Sequence, residues 1–286
     1  MSLEDRRTDG EAPSLPEPME RSVDDRFERR VVINVPNRQN AKLRRIIEHV
    51  NGDDDLYGLW IAANVNAMER LGMTDHGPVH VKIVMNLAVR MLRLLVEAKV
   101  EPSVVTHYDM DSDDAEVVVA LAALLHDLGM SIHRADHESF SLFIAQEKLR
   151  QILPVVYNDR QATILRAETL HAIISHRSGG KPLTLEAGVV RIADALDMAK
   201  GRSRIPFSSG SLSIHSVSAA AIEGITLEHG TEKAICVTVN MSNSAGLFQL
   251  DQLLREKLKG SGLEEHLEVL VRLGEEEKPL LTDFTL

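Results

Sequence analysis

The chain has 286 residues, 44% of them hydrophobic and 26% charged, enough apolar material for one large core or two modest ones. A net charge of −11 repels polyanions and argues against nucleic acid as a partner, while leaving room for a local anion pocket. The single cysteine, Cys236, excludes an internal disulfide. With no run near the roughly 20 apolar residues a membrane span needs and no apolar signal core at the start, the sequence reads as cytoplasmic.

Residues 1–30 are rich in charge and proline and poor in large apolar groups, so they read as a disordered segment. The short apolar run Val31–Val35 is expected to add an edge strand. From about Asn37 to Arg204 the hydrophobic spacing is helical. Ala41–His49 and Leu56–Leu71 make two helices around a break at Asn51–Asp55. Pro78 is a good first-turn residue and opens a helix with an apolar stripe through Val84, Leu87, Ala88, Met91 and Leu95. Asp113–Asp114 start a helix that is apolar on every side through Leu125, which belongs at the centre of a bundle. Gly129 is expected to end it as a left-handed cap. Further helices are expected over Asp136–Leu153, Arg160–His176 and Leu185–Lys200.

After Pro206 the period changes. Ile225–Leu227 and Ala234–Val239 read as strands joined at His229-Gly230. An amphipathic helix capped by Asn243 or Ser244 follows, with Phe248, Leu250, Leu253, Leu254 and Leu258 on its apolar face. His266–Leu273 alternates as a last strand. Residues 207–221 give no assignable pattern. The fold class is therefore mainly α: a helical domain over residues 31–206 and a small C-terminal α+β (ββαβ) unit over residues 207–286, with residues 1–30 as the N-terminal segment.

A His-Asp dipeptide occurs about once by chance in a chain of this size and composition, so the placement of His126-Asp127 carries the information. The pair ends the helix placed at the centre. An ionised carboxylate there is removed from water and sits at the negative end of the helix dipole. Either a divalent cation or an arginine must compensate it. His80 falls on the buried stripe of its own helix, four residues before Val84. Asp194 is one turn from both Val190 and Met198 and faces inward; Asp197, three residues on, competes for the same role or pairs with Lys200 or Arg202.

The stretches Asp75-His-Gly-Pro-Val-His80-Val, Leu124-Leu-His-Asp-Leu-Gly129 and Val190-Arg-Ile-Ala-Asp194-Ala-Leu-Asp197 together resemble the HD-domain superfamily of metal-dependent phosphohydrolases, over about residues 70–204. The resemblance implies an HD-type helical bundle in which His80, His126, Asp127 and Asp194 ligate one metal. It chooses Asp194 over Asp197 and makes His126 and Asp127 the catalytic pair. By similarity to binuclear members, His176, His137 and His171 are candidates for a second metal or for substrate. His171 and His176 stand five residues apart, about 140° on a helix, so they cannot both face one site on a continuous helix. Met130 stands where the family often has lysine.

Mixed imidazole and carboxylate donors suit Mn, Fe, Co or Ni, with Mg an option, as one or two ions. The implied activity is hydrolysis of a phosphate ester or phosphodiester, favouring a nucleotide, by hydroxide held on the metal. A metal- or nucleotide-binding regulator without turnover is the alternative. Arg202, Arg204, Arg177 and Lys181 cluster near the expected site and are candidate phosphate contacts. Aromatic residues are only 3% of the chain, which gives little support to base stacking. The edges of a short sheet need covering, and this predicts a homodimer.

Overall fold

The computed structural model describes residues 30–35, 40–177, 179–198 and 221–274. Helix α1 spans Ala41–Gly52 and α2 spans Asp54–Asn64, continuing into a π-helical turn over Val65–Arg70. They are followed by α3 (Pro78–Glu97), α4 (Ser103–His107) and α5 (Ser112–Leu125). A 3-10 turn over Leu128–Ser131 leads to α6 (His137–Ile152), α7 (Asp159–Ser175) and α8 (Leu185–Leu196). The starts are set by side-chain caps. Asn40, Asp53, Asn158 and Thr184 accept from the third residue on. Asp111 and Asp114 form a reciprocal capping box on α5.

Helix α5 is the central rod expected from its composition. Every residue from Ala115 through Leu125 is buried, Glu116 included, and α1, α3, α7 and α8 pack around it. Trp60 on α2 donates its indole N–H to the Leu124 carbonyl, 2.8 Å away, anchoring α2 beside the end of α5 that carries His126.

The C-terminal unit has β1 (Ile222–His229) antiparallel to β2 (Ile235–Met241) and β2 parallel to β3 (Leu267–Leu273), in the order β1-β2-β3. The β2–β3 crossover contains α9 (Leu247–Gln249), a π-helical segment (Leu250–Arg255) and α10 (Glu256–Leu258). This is the expected ββαβ order. Its buried side chains join the bundle's in one continuous core, and from Ile33 onward the chain forms one compact unit.

Two local expectations are corrected. Residues 31–35 pair with no strand among the described residues. Instead Asn51 bonds both polar groups of Ile33, accepting from its N–H and donating to its carbonyl at 2.9 Å each, and so replaces a neighbouring strand while Ile33 enters the core. Gly129 is not left-handed; its role is close approach. A Cβ there would meet the His137 carbonyl oxygen and the Ser141 nitrogen of α6, and its N–H donates to Ser141 Oγ. This contact seats the turn after His126-Asp127 directly beneath the start of α6. The expected disordered segment, apart from Arg30, and residues 207–220 lie outside the described residues.

Candidate metal centre

Three helix ends and two helix starts meet at this place. His80 lies in the first turn of α3, where Pro78 fixes the backbone and Gly77 packs against Asn64, a contact too tight for a Cβ. His126 and Asp127 end α5, Asp194 sits in the last turn of α8, and His176 follows α7. His137 opens α6. The three helix ends are negative dipole ends and the starts of α3 and α6 positive ones, so the ends outnumber the starts before any carboxylate is counted.

His80 Nε2 lies 3.3 Å from His126 Nε2, 3.3 Å from Asp127 Oδ2 and 3.6 Å from Asp194 Oδ1. His126 Nε2 is 3.3 Å from Asp127 Oδ2 and 3.7 Å from Asp194 Oδ1. These are separations that bonds of about 2.0–2.2 Å to a common ion would produce between neighbouring ligands. The other Asp127 oxygen turns the opposite way. Its Oδ1 is 3.2 Å from His137 Nε2 and 3.9 Å from His176 Nε2, and Glu138 adds a carboxylate 3.2 Å from His137 Nδ1. Three trios place their ligand atoms within 4.8 Å of one another: His80, His126 and Asp194; His126, Asp127 and His176; and His137, Glu138 and His176.

The far ring nitrogens decide what the near ones offer. His80 Nδ1 is 2.6 Å from Asp197 Oδ2, His126 Nδ1 2.8 Å from the Ala123 carbonyl and His176 Nδ1 2.6 Å from the Ile173 carbonyl. Each acceptor requires an N–H on Nδ1, so each of the three rings, when neutral, directs an Nε2 lone pair inward. Two such lone pairs face one another at 3.3 Å beside two carboxylates. That arrangement is repulsive unless a positive charge sits among them, and the donor set therefore fits a divalent cation.

Titration shows the same demand for positive charge, which a proton on His126 meets when no ion is bound. Burial pulls the His126 pKa down, but the charges and hydrogen bonds of Asp127 and Asp194 outweigh it and lift it to about 10. Burial likewise opposes ionisation of Asp127 and Asp194. The His126 charge and hydrogen bond and the His137 and His80 contacts on Asp127, and the Lys257 charge and His126 contact on Asp194, hold both well below the usual carboxylate range. His176 is driven down to about 3, by burial first and then by the positive charges of His126 and Lys257.

Of the residues singled out from sequence, His80, His126, Asp127, Asp194, His137 and His176 converge here. His171 does not. It accepts the Leu183 N–H at Nε2, 3.0 Å away, on the face of α7 that the 140° separation assigns away from His176. Asp197 meets His80 Nδ1 at 2.6 Å and orients that ring; the alternative partners Lys200 and Arg202 lie outside the described residues. Arg177 and Lys181 are exposed on the loop after His176. Arg202 and Arg204 lie outside the described residues. Sequence reasoning missed Glu138, whose only signal was adjacency to His137, and Lys257. Lys257 reaches the site from α10, donating to Asp194 Oδ2 at 2.8 Å and to the His176 carbonyl at 2.6 Å. Met130 is fully buried against Ala63 and Ala67, an apolar packing role.

A helical bundle whose helix ends bring imidazoles and carboxylates together makes a candidate divalent-metal centre. Residues 79–199 match the HD domain family. The chain is also 43% identical over 224 residues, 78% of its length and 86% of the relative's, to the uncharacterized protein MJ1020 of Methanocaldococcus jannaschii. No solved structure matches the chain. The chain belongs to the HD domain family, whose members are usually metal-dependent hydrolases. Among the described residues no helix is long and apolar enough to cross a membrane.

Proposed function

We propose that the protein is a metal-dependent phosphohydrolase acting on a phosphate ester or phosphodiester, with a nucleotide as the favoured substrate. The observation that supports this most is the pair of inward Nε2 lone pairs of His80 and His126, 3.3 Å apart beside Asp127 and Asp194. His80, His126, Asp127 and Asp194 would hold one ion. His137, His176 and the second oxygen of Asp127 would hold another, or the substrate's oxygens. Manganese, iron, cobalt or nickel suits this donor set better than calcium.

A bound divalent ion supplies Lewis acidity toward the phosphoryl group and hydroxide near neutral pH. The protein's own contribution is positional. Asp127 directs its two oxygens at two different imidazole groups, so one carboxylate spans both halves of the site. Asp197 and the Ala123 carbonyl fix the His80 and His126 rings in the tautomer that presents Nε2. His176 stays neutral at physiological pH and acts as a ligand or hydrogen-bond acceptor, not as a proton donor. The nucleotide preference rests on the resemblance alone. The same reading includes a homodimer formed through the sheet edges, β1 and β3; a monomer in sedimentation at micromolar concentration would rule that out.

The test is a panel of nucleotides, cyclic and linear dinucleotides and simple phosphoesters, run with Mn, Fe, Co, Ni and Mg. Metal-dependent release of phosphate or a monoester, lost on substitution of Asp127 by Ala, is the expected result. Binding of a nucleotide without turnover for any metal would favour a regulatory protein instead.

A further inference from the structure

The C-terminal unit is seated against the site. Gly188 on α8 lets the Ser261 carbonyl approach so closely that any Cβ would collide with it. Three residues further along α8, Arg191 is buried, and among the described residues its hydrogen-bond partners are backbone carbonyls. Its guanidinium donates to the carbonyls of Lys257 (2.8 Å) and Glu256 (3.4 Å) on α10, and to those of Ser175, Arg177 and Gly180 (3.3, 2.8 and 2.8 Å) around the loop that carries His176. One planar five-donor fork thus fixes the backbone of Lys257 relative to that of His176.

The Lys257 ammonium completes the link. Its side chain is 17% exposed, and it donates to the His176 carbonyl and to Asp194 Oδ2. The other Asp194 oxygen, Oδ1, is the one that faces His80 and His126. We infer that Lys257 is a positioning residue of the metal centre, supplied by the C-terminal unit, which holds Asp194 Oδ2 so that only Oδ1 is offered to a cation.

This inference rests on the metal-centre reading and adds a consequence. An ammonium on one carboxylate oxygen competes with a cation for it, so Asp194 would favour binding an ion through Oδ1 alone, which would leave a place for water or a phosphoryl oxygen. The ammonium also opposes a nearby cation, so the ion is bound less tightly than four ligands alone would allow. Lys257 trades affinity for an open site. A purely structural lysine would act in the opposite direction: its loss would loosen the site, weaken metal binding and lower the melting temperature.

The experiment compares the full-length wild type with Lys257→Met and Lys257→Arg. The metal-free melting temperature checks the fold, Mn(II) titration followed by electron paramagnetic resonance reads the site, and hydrolysis of bis(p-nitrophenyl) phosphate reads turnover. The methionine variant, which keeps the stem and loses the charge, is expected to bind Mn(II) at least about threefold tighter, with a changed Mn(II) spectrum and a kcat about tenfold lower, within the range such outer contacts command. The arginine variant keeps the charge and is expected to bind Mn(II) like the wild type. Mn(II) binding that is unchanged or weaker in Lys257→Met overturns the inference, as does an arginine variant that behaves like the methionine one. A wild type that binds no Mn(II) would instead overturn the metal-centre reading itself.

Discussion

The two ends of α5 carry two polar clusters of opposite kinds, the first with Asp114 and Glu116 buried but Asp111 exposed. At its start, Asp111 and Asp114 cap the helix and both take Lys42, at 2.9 and 2.7 Å, while Asp114 also accepts the Tyr157 hydroxyl at 2.8 Å. Glu116 receives Arg93 through both carboxylate oxygens and Asn40 at 3.1 Å. Each of these carboxylates meets a cation or a hydrogen-bond donor, and the positive charge lies at the end where the helix dipole already favours acids. At the other end, His126 and Asp127 meet His80, Asp194, His137 and His176, and the atoms that face one another are carboxylate oxygens and imidazole nitrogens, those of His80, His126 and His176 being acceptors when the rings are neutral. The same helix thus shows a polar network that is complete by itself and one that is complete only around an added positive charge. Closure of the hydrogen-bond inventory, more than burial or charge, separates the structural cluster from the functional one.

The largest effect that would sharpen this contrast is at Asp127. Asp127→Asn is expected to lower metal-dependent hydrolysis by about a thousandfold or more and to abolish the rise in melting temperature that an added divalent ion produces. A rise in melting temperature with added ion that survives the substitution would place Asp127 with the structural cluster. At the opposite end the pattern reverses. Glu116→Ala strands Arg93 and Asn40 and is expected to cost about 3 kcal/mol in urea unfolding, with Mn(II) affinity unchanged. Asp197→Ala releases the His80 ring and is expected to weaken Mn(II) binding about 10- to 100-fold by calorimetry, with little change in metal-free stability.

The smallest effect is a pH dependence on the structural side. Burial alone would raise the Asp53 pKa, but the Leu56 N–H and the Lys148 ammonium outweigh it and hold it below the ordinary value. A depressed carboxylate pKa contributes stability that is fully present above the unfolded value, near 4, and is lost as pH falls through the folded one. Asp53→Asn keeps the cap and loses the charge. Relative to this variant, the wild type is expected to be about 1 kcal/mol more stable at pH 6, with the gap closing toward pH 3. A gap that stays constant across that range would refute the assignment.

Much of this was legible from sequence because helix phase is a local property. His80 on the stripe of α3, His126-Asp127 at the end of an all-apolar helix and Asp194 inside α8 follow from spacing, and their meeting follows from the family pattern. What was not legible depends on distant neighbours. Gly129 reads as a helix stop, but its role is set by the α6 backbone lying against it. Lys257 sits 63 residues from Asp194 on a segment that reads only as amphipathic, and nothing local distinguishes it from any surface lysine. Arg191 looks like a charged residue on a helix, yet it is buried by backbone carbonyls from two other segments. Asn51 replaces an expected strand because its amide copies the two hydrogen bonds a neighbouring strand would make.

The central claim is that the inward-facing imidazoles and carboxylates require a divalent cation. The most direct test is elemental analysis of the protein purified without chelators, paired with the melting temperature before and after metal removal. The account predicts one or two transition-metal ions per chain, a clear fall in melting temperature on their removal, and loss of both properties in His126→Ala. A metal-free protein whose melting temperature ignores every ion in the panel would contradict it.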